Sequence, residues 1–263
     1  MKINILVDDD KCWSLNIVRK LIPYLKRKKI IIDHIWILPN KLSNLKGHEI
    51  SHWYLKTFGI IVFLKLSIFY ILSILHNFSN RINNFKDLAL KNNIKYNFIN
   101  STNDKRLLKN INKNDKKISL LLTNHILKKK LLNKKNHFFI NKHSSMLPSY
   151  KGLMPYIWTK INNADNGITF HLVNEKIDSG KIIFQKKIKI KFNSMIEFYL
   201  NVYDKFPVCF FQSLKNLKQK KFVKSKSKKS YYSIPNRKDY DKFLKKKGNI
   251  ILFRDFFKIN KLL

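Results

Sequence analysis

Cysteine and negative charge are what this chain has least of. Its two cysteines, Cys12 and Cys209, lie far apart with no CxxC spacing. That excludes a disulfide framework and a thiolate zinc site. No leader-like segment precedes the first apolar run, so a reducing, cytoplasmic setting is expected. Only 16 acidic residues face 54 Lys and Arg, a formal net charge of +38. Such a balance invites a nucleic-acid or anionic-membrane partner. Lys, Asn, Ile and Phe are enriched together, however, as A/T-rich codons enrich them, and most Lys is scattered, with dense basic runs at 26–29, 128–130 and 220–229. Charge by itself is therefore a weak sign of function. There is no internal repeat.

Apolar residues are plentiful, at 44% with 13% aromatic. A chain of 263 residues with that content can bury one sizeable core, and two full domains would be a squeeze. One stretch, "FGIIVFLKLSIFYILSIL" from Phe58 to Leu75, is almost continuously apolar. Its length matches the shortest bilayer-spanning helix, but Lys65 near its middle argues against a span. A buried helix or helix pair covering a sheet face is expected, with a membrane-surface or partner-binding helix as the alternative.

The order of elements predicts an α/β fold. "INILV" (3–7) reads as a strand feeding Asp8-Asp9-Asp10, followed by a helix over 15–25 and a strand over 30–38. After the apolar segment come a helix at 85–93, an edge strand at 94–99, and a helix at 103–111 with Asn103 as its cap. Strands at 118–123 and 137–143 flank a short helix at 126–132. Strands alternating with helices imply a mostly parallel, Rossmann-like sheet covered by helices on both faces. A helix at 154–163 then leads to an antiparallel hairpin of 167–174 and 181–190. A helix over 195–217, kinked at Pro207, packs back on the sheet. The expected organisation is a catalytic domain 1–217, a basic linker 218–230, and a small appendage 231–263. In the appendage, an Asn236-capped helix stops near Gly248 before a short strand.

Asn141 and His143 alternate with Lys142 at the carboxyl end of a strand, so both face one way while Lys142 points away. An amide and an imidazole side by side suit a reaction in which a carbonyl oxygen gains negative charge and a proton moves. Asp178, in the hairpin loop before Ser179-Gly180, is the best carboxylate to orient the ring. Singly, each has a plainer reading: a lone His is more often a surface or packing residue, and Asp before Ser-Gly is ordinary turn chemistry.

Together with their flanks they carry a resemblance. "NKHSSMLPSYKG" (141–152), then "GITFHLVNEKIDSGKIIFQ" (167–185), resembles the signature of the folate-dependent formyltransferases. That family includes the methionyl-tRNA, glycinamide ribonucleotide and sugar-nucleotide enzymes. The likeness is good over 118–190 and weaker on either side. It implies a catalytic trio of Asn141, His143 and Asp178, a 10-formyltetrahydrofolate donor and a primary-amine acceptor, with neither metal nor covalent enzyme intermediate. A protonated His143 and Asn141 would stabilise the oxyanion while Asp178 holds the ring and assists proton removal. It also places the pteridine against Leu122, Thr123, Asn124, Ile126 and Leu127 on one side and Glu175, Lys176 and Ile177 on the other. Ser145 and Pro148 would shape the loop, and His171 would stand behind the site.

Met146 and Lys151 are mild departures from the family pattern. "VDDDKCW" has no glycine, which argues against a backbone phosphate cradle and so against glycinamide ribonucleotide. The tail has too few strands for the barrel of methionyl-tRNA enzymes. The expected acceptor is accordingly a small-molecule amine, an amino-sugar nucleotide or relative. The alternatives are initiator tRNA, or a catalytically inactive binding module that uses its Lys runs and the 58–75 segment on nucleic acid or a membrane surface.

Overall fold

Alternation along β1 (Lys2–Asp8) shows how the sheet is filled. Ile3, Ile5 and Val7 join one buried cluster, while Leu6 joins the other, on the opposite face. The computed structural model describes residues 1–111, 117–134, 136–225 and 227–262. Lys226 of the expected linker and Leu263 of the expected appendage lie outside them.

From β1 the chain runs through α1 (Ser14–Arg27), β2 (Ile31–Leu38), a small hairpin of β3 (Lys41–Leu42) and β4 (Leu45–Lys46), α2 (His48–Phe58) and α3 (Ile60–Ser79). Next come α4 (Phe85–Lys91), β5 (Lys95–Phe98), α5 (Lys105–Ile111), β6 (Lys117–Leu122), α6 (Lys129–Leu132) and β7 (His137–His143). The remainder is β8 (Lys151–Gly152), α7 (Pro155–Ile161), β9 (Asn166–Leu172), β10 (Ile182–Ile188), α8 (Met195–Lys218), β11 (Tyr231–Tyr232), α9 (Arg237–Lys245) and a 3-10 helix (Phe253–Leu262).

Seven strands form the sheet in the order β10-β9-β7-β6-β1-β2-β5. β1, β2, β5, β6 and β7 are parallel, whereas β9 is antiparallel to β7 and to β10. The expected α/β class, edge strand and hairpin are all present. Side chains of α1, α4 and α8 fill one face with Ile5 and Phe170; those of α5 and α6 fill the other with Trp36 and Phe139. Parallel crossovers leave the carboxyl ends of β1, β6 and β7 along one rim, where open α/β sheets take their ligands.

Three local expectations change. The apolar segment is broken at Gly59, whose φ of +83° L-residues rarely adopt. The α2–α3 pair it yields is not buried over a sheet face. α1 and α8 already cover that face, so α3 lies outside them and keeps a long apolar stripe in water. At α5, Asp104 rather than Asn103 accepts the Arg106 N–H, at 2.8 Å. The expected strand after Gly248 is extended but pairs with no strand: the carbonyls of Asn249 and Ile250 accept the N–H groups of Met195 and Ile196, the first turn of α8. The chain then turns into the 3-10 helix. α8 itself runs through Pro207 unbroken. Tyr240, Phe243, Ile250, Ile251 and Ile259 of the tail are buried in the same cluster as the sheet.

Candidate active site

β7 brings Asn141 and His143 to the rim, and antiparallel β9 sets His171 opposite Asn141 and Thr169 opposite His143. Asp178 reaches back from the β9–β10 loop with φ +46°. Its carboxylate lies between two imidazoles. Oδ2 is 3.4 Å from Nδ1 of His143, and Oδ1 is 3.4 Å from Nε2 of His171. The backbone N–H of Gly152 donates to Oδ2 at 2.9 Å. The three side chains are only 7%, 8% and 2% exposed for His143, Asp178 and His171.

Burial by itself would raise the Asp178 pKa. The close imidazoles of His143 and His171 and the Gly152 N–H outweigh it, and hold the carboxyl well below the usual carboxylate range. His143 shifts the other way. Burial lowers its pKa, against the opposing pull of Asp178 and of the Tyr150 carbonyl, to which Nε2 donates at 2.6 Å. Both ring nitrogens face acceptors, the Asp178 carboxylate and the Tyr150 carbonyl, an arrangement that can hold the expected protonated ring.

The motif's flanking residues hold the loop that frames this centre. Thr169 Oγ1 donates to the Ser145 carbonyl at 2.6 Å and accepts the Gln185 amide at 3.0 Å. Gln185 also donates to the Leu147 carbonyl at 2.8 Å, and Ser145 Oγ to the Ser149 carbonyl at 2.9 Å. Gly180 is forced by space: a Cβ there would stand 1.6 Å from the Leu172 carbonyl oxygen.

A cavity of about 560 Å³ opens beside His143, walled by 121–127, 173–178, Asn141, Lys142 and His171. All eight positions expected to hold the folate, from Leu122 to Ile177, line it. Its volume is in the range of small-ligand sites, and its walls mix Leu, Ile and Val with Asp, Asn, Thr and His side chains. A second cavity of about 770 Å³ shares His143, Lys142, Asp10 and Trp13 with the first, and continues between α3 and α8 past Tyr54, Tyr70, Tyr199 and Tyr203. His143 thus borders two compartments.

Three cleft residues escaped the sequence reading as site residues. Asp8 accepts the Thr123 hydroxyl and, at 3.0 Å, the Asn124 N–H. Burial pushes its pKa up to about 7 against those bonds. Asp10 accepts the N–H groups of Cys12, Trp13 and Ser14 at 2.9, 3.2 and 3.1 Å. The protein's own carboxylate therefore occupies the α1 N-terminus, where a phosphate cradle would otherwise form. Lys142 stands on the α8 side of the sheet, beside Tyr203, and lines both cavities from there. Its Nζ donates to Ser144 Oγ at 2.9 Å and lies 5.1 Å from the Tyr203 ring centroid, and burial pulls its pKa down to about 8. The triple Asp was visible in sequence as a strand-end loop; nothing in the alternation signals that Lys142 reaches the cleft.

Residues 97–205 match the family model described as "Formyl transferase". A methionyl-tRNA formyltransferase of Thermodesulfovibrio yellowstonii is 41% identical over 66 residues, 25% of this chain. Over residues 97–205 the chain is similar to the formyltransferases. The matched segment spans 21% of that curated relative's length. Among solved structures, a sugar N-formyltransferase from a Shewanella species aligns with 100% of this chain and 88% of its own, at 18% identity and a TM-score of 0.56. An N-formyltransferase from Helicobacter canadensis, in complex with folinic acid and dTDP-3-aminofucose, covers 89% of this chain and 71% of its own, at 18% identity and a TM-score of 0.53. At those identities the structures speak for a shared formyltransferase fold.

Proposed function

We propose that the protein transfers a formyl group from 10-formyltetrahydrofolate to the primary amine of a small acceptor, an amino-sugar nucleotide or a related metabolite. The observation that carries this reading is the Asp178 carboxylate set between His143 and His171 where two cavities meet. Residues 121–127 and 173–178 would hold the folate, which supplies the one-carbon unit to be transferred. The second cavity would then receive the acceptor; its aromatic walls suit a sugar ring or a base. A solved formyltransferase of the same fold carries folinic acid and a dTDP-amino sugar, which supports both halves of the assignment.

In this reading the Asn141 amide donates to the oxygen that takes on negative charge. His143, its two nitrogens held by the Tyr150 carbonyl and Asp178, is protonated and adds positive charge beside that oxygen, while Asp178 keeps the ring oriented and assists removal of the proton that the attacking amine must lose.

The test measures tetrahydrofolate release from 10-formyltetrahydrofolate in the presence of candidate amino-sugar nucleotides. His143→Ala is expected to lose about 10²–10⁴-fold in kcat, and unchanged turnover in that variant removes the mechanism. A second acceptor, initiator methionyl-tRNA, is favoured by the 41% match and the +38 charge. Its signature is tRNA binding that weakens steeply with salt, and salt-insensitive binding dismisses it.

A further inference from the structure

α3 has two unlike sides. On the inner one Phe69, Ser73 and Asn77 are buried; Phe69 stacks on Trp13 with centroids 5.8 Å apart, and the Asn77 amide donates to the Lys11 carbonyl at 2.9 Å. These contacts fasten the helix lengthwise along the protein. On the outer side Ile61, Leu64, Ile68, Ile71, Leu75 and Phe78 follow at steps of three and four, each between 50% and 68% exposed. That spacing draws one continuous apolar stripe along the helix. The 3-10 helix packs beside α3 through Phe256 against Phe69, and adds Phe253 and Phe257, each 73% exposed. Soluble surfaces seldom leave so large an apolar patch uncovered without a partner.

Charge decides what covers it. α3 contains no Asp or Glu, only Lys65 and His76, and the one acid of the 3-10 helix, Asp255, is fully buried. Arg254 and Lys258 share a single carboxylate, Glu197, at 3.5 and 2.6 Å, and so stay net positive. A second copy of this chain would bring +38 against +38, which opposes self-association. An anionic lipid surface offers acyl chains to the stripe and phosphates to the cations. A bilayer span is opposed by the inner side, which is committed to Trp13 and Lys11.

We propose that the α3 stripe and the exposed phenylalanines of the 3-10 helix dock this protein, lying flat, on the surface of an anionic bilayer. Docking does not depend on formyl transfer. The test is co-sedimentation of the full chain with phosphatidylcholine vesicles, with and without phosphatidylglycerol, for the native protein and for Leu64→Glu/Ile71→Glu. Both substitutions fall on exposed positions, and the circular dichroism melt reports folding. The native chain should pellet with the phosphatidylglycerol vesicles, less so as salt rises, and the double variant should lose at least tenfold in partitioning. Three results would overturn the proposal: native protein left in the supernatant, equal recovery of the double variant, or a lipid-free dimer that the double variant abolishes. Retention through alkaline carbonate extraction would indicate a span and also overturn it.

Discussion

Asp8 and Asp178 are the same residue type on the same sheet rim, both nearly sealed from solvent at 4% and 8% side-chain exposure, yet their environments drive them apart. Asp178 has an imidazole on either side and a backbone N–H, and stays ionised far into acid. Asp8 has a hydroxyl, amide donors, a second carboxylate, Asp10, nearby and one imidazole, His125, 3.9 Å away with its Nε2 given to the Pro39 carbonyl, and its pKa rises to about 7. Equal burial costs both anions alike, so the partners decide: two close imidazoles with a backbone N–H outweigh desolvation, while neutral donors and one more distant imidazole bonded elsewhere do not. Carboxyls pushed in opposite directions at one cleft are an arrangement that proton-transfer sites use. Here it marks Asp178 as the permanent charge and Asp8 as a group that titrates near neutrality.

Asp178→Asn should give the largest effect, because it removes the charge that would balance a protonated His143. Turnover is expected to fall about 10²–10⁴-fold in the folate assay, with KM for the donor little changed. A variant within tenfold of native activity would erase the contrast with Asp8.

Asp8→Asn should act mainly on stability. A carboxyl whose pKa is about 7 when folded and about 4 when unfolded contributes stability that is fully present below about pH 4 and fades as pH rises through 7. Asp178 runs the opposite way, contributing above about pH 4 and losing that contribution as its carboxyl protonates in acid. Urea midpoints of the native protein should therefore decline between about pH 4 and 7 more than those of Asp8→Asn. Parallel curves would return Asp8 to an ordinary carboxylate.

The smallest effect is expected from Lys142→Met. With its pKa lowered to about 8 against about 10.4 unfolded, the folded state binds fewer protons over that interval, so native stability should rise from about pH 8 to 10. The variant should lack that rise and, in the folate assay, lose less turnover than Asp178→Asn. A collapse in turnover would give Lys142 a part in the chemistry.

The legible parts of the fold were those with a strong period. β1, β2, β6, β7 and the β9–β10 hairpin follow from apolar runs or alternation, and placing Asn141 and His143 on one side of β7 needed nothing further. The meeting of Asp178 with them rested on flanking residues whose work appears only in three dimensions: Thr169 and Gln185 tie the loop, and Gly180 lets the chain pass the Leu172 carbonyl. Long-range competition was not legible. Nothing local tells that α1 and α8 fill the sheet face before α3 can, that the α8 N-terminus takes the carbonyls of Asn249 and Ile250, or that Lys142 lines the cleft from the α8 side.

The N–H that steadies Asp178 belongs to Gly152, which is also one half of the two-residue pairing of β8 with β11. Ser149 and Tyr150 grip Lys228 and Ser230, and Tyr232 is sandwiched between Tyr150 and Trp158 with centroids 5.6 and 4.6 Å away. The far end of the chain is thus a splint across the reactive centre. Peeling residues 228–232 away would slacken the carboxylate one peptide unit later, long before the sheet noticed.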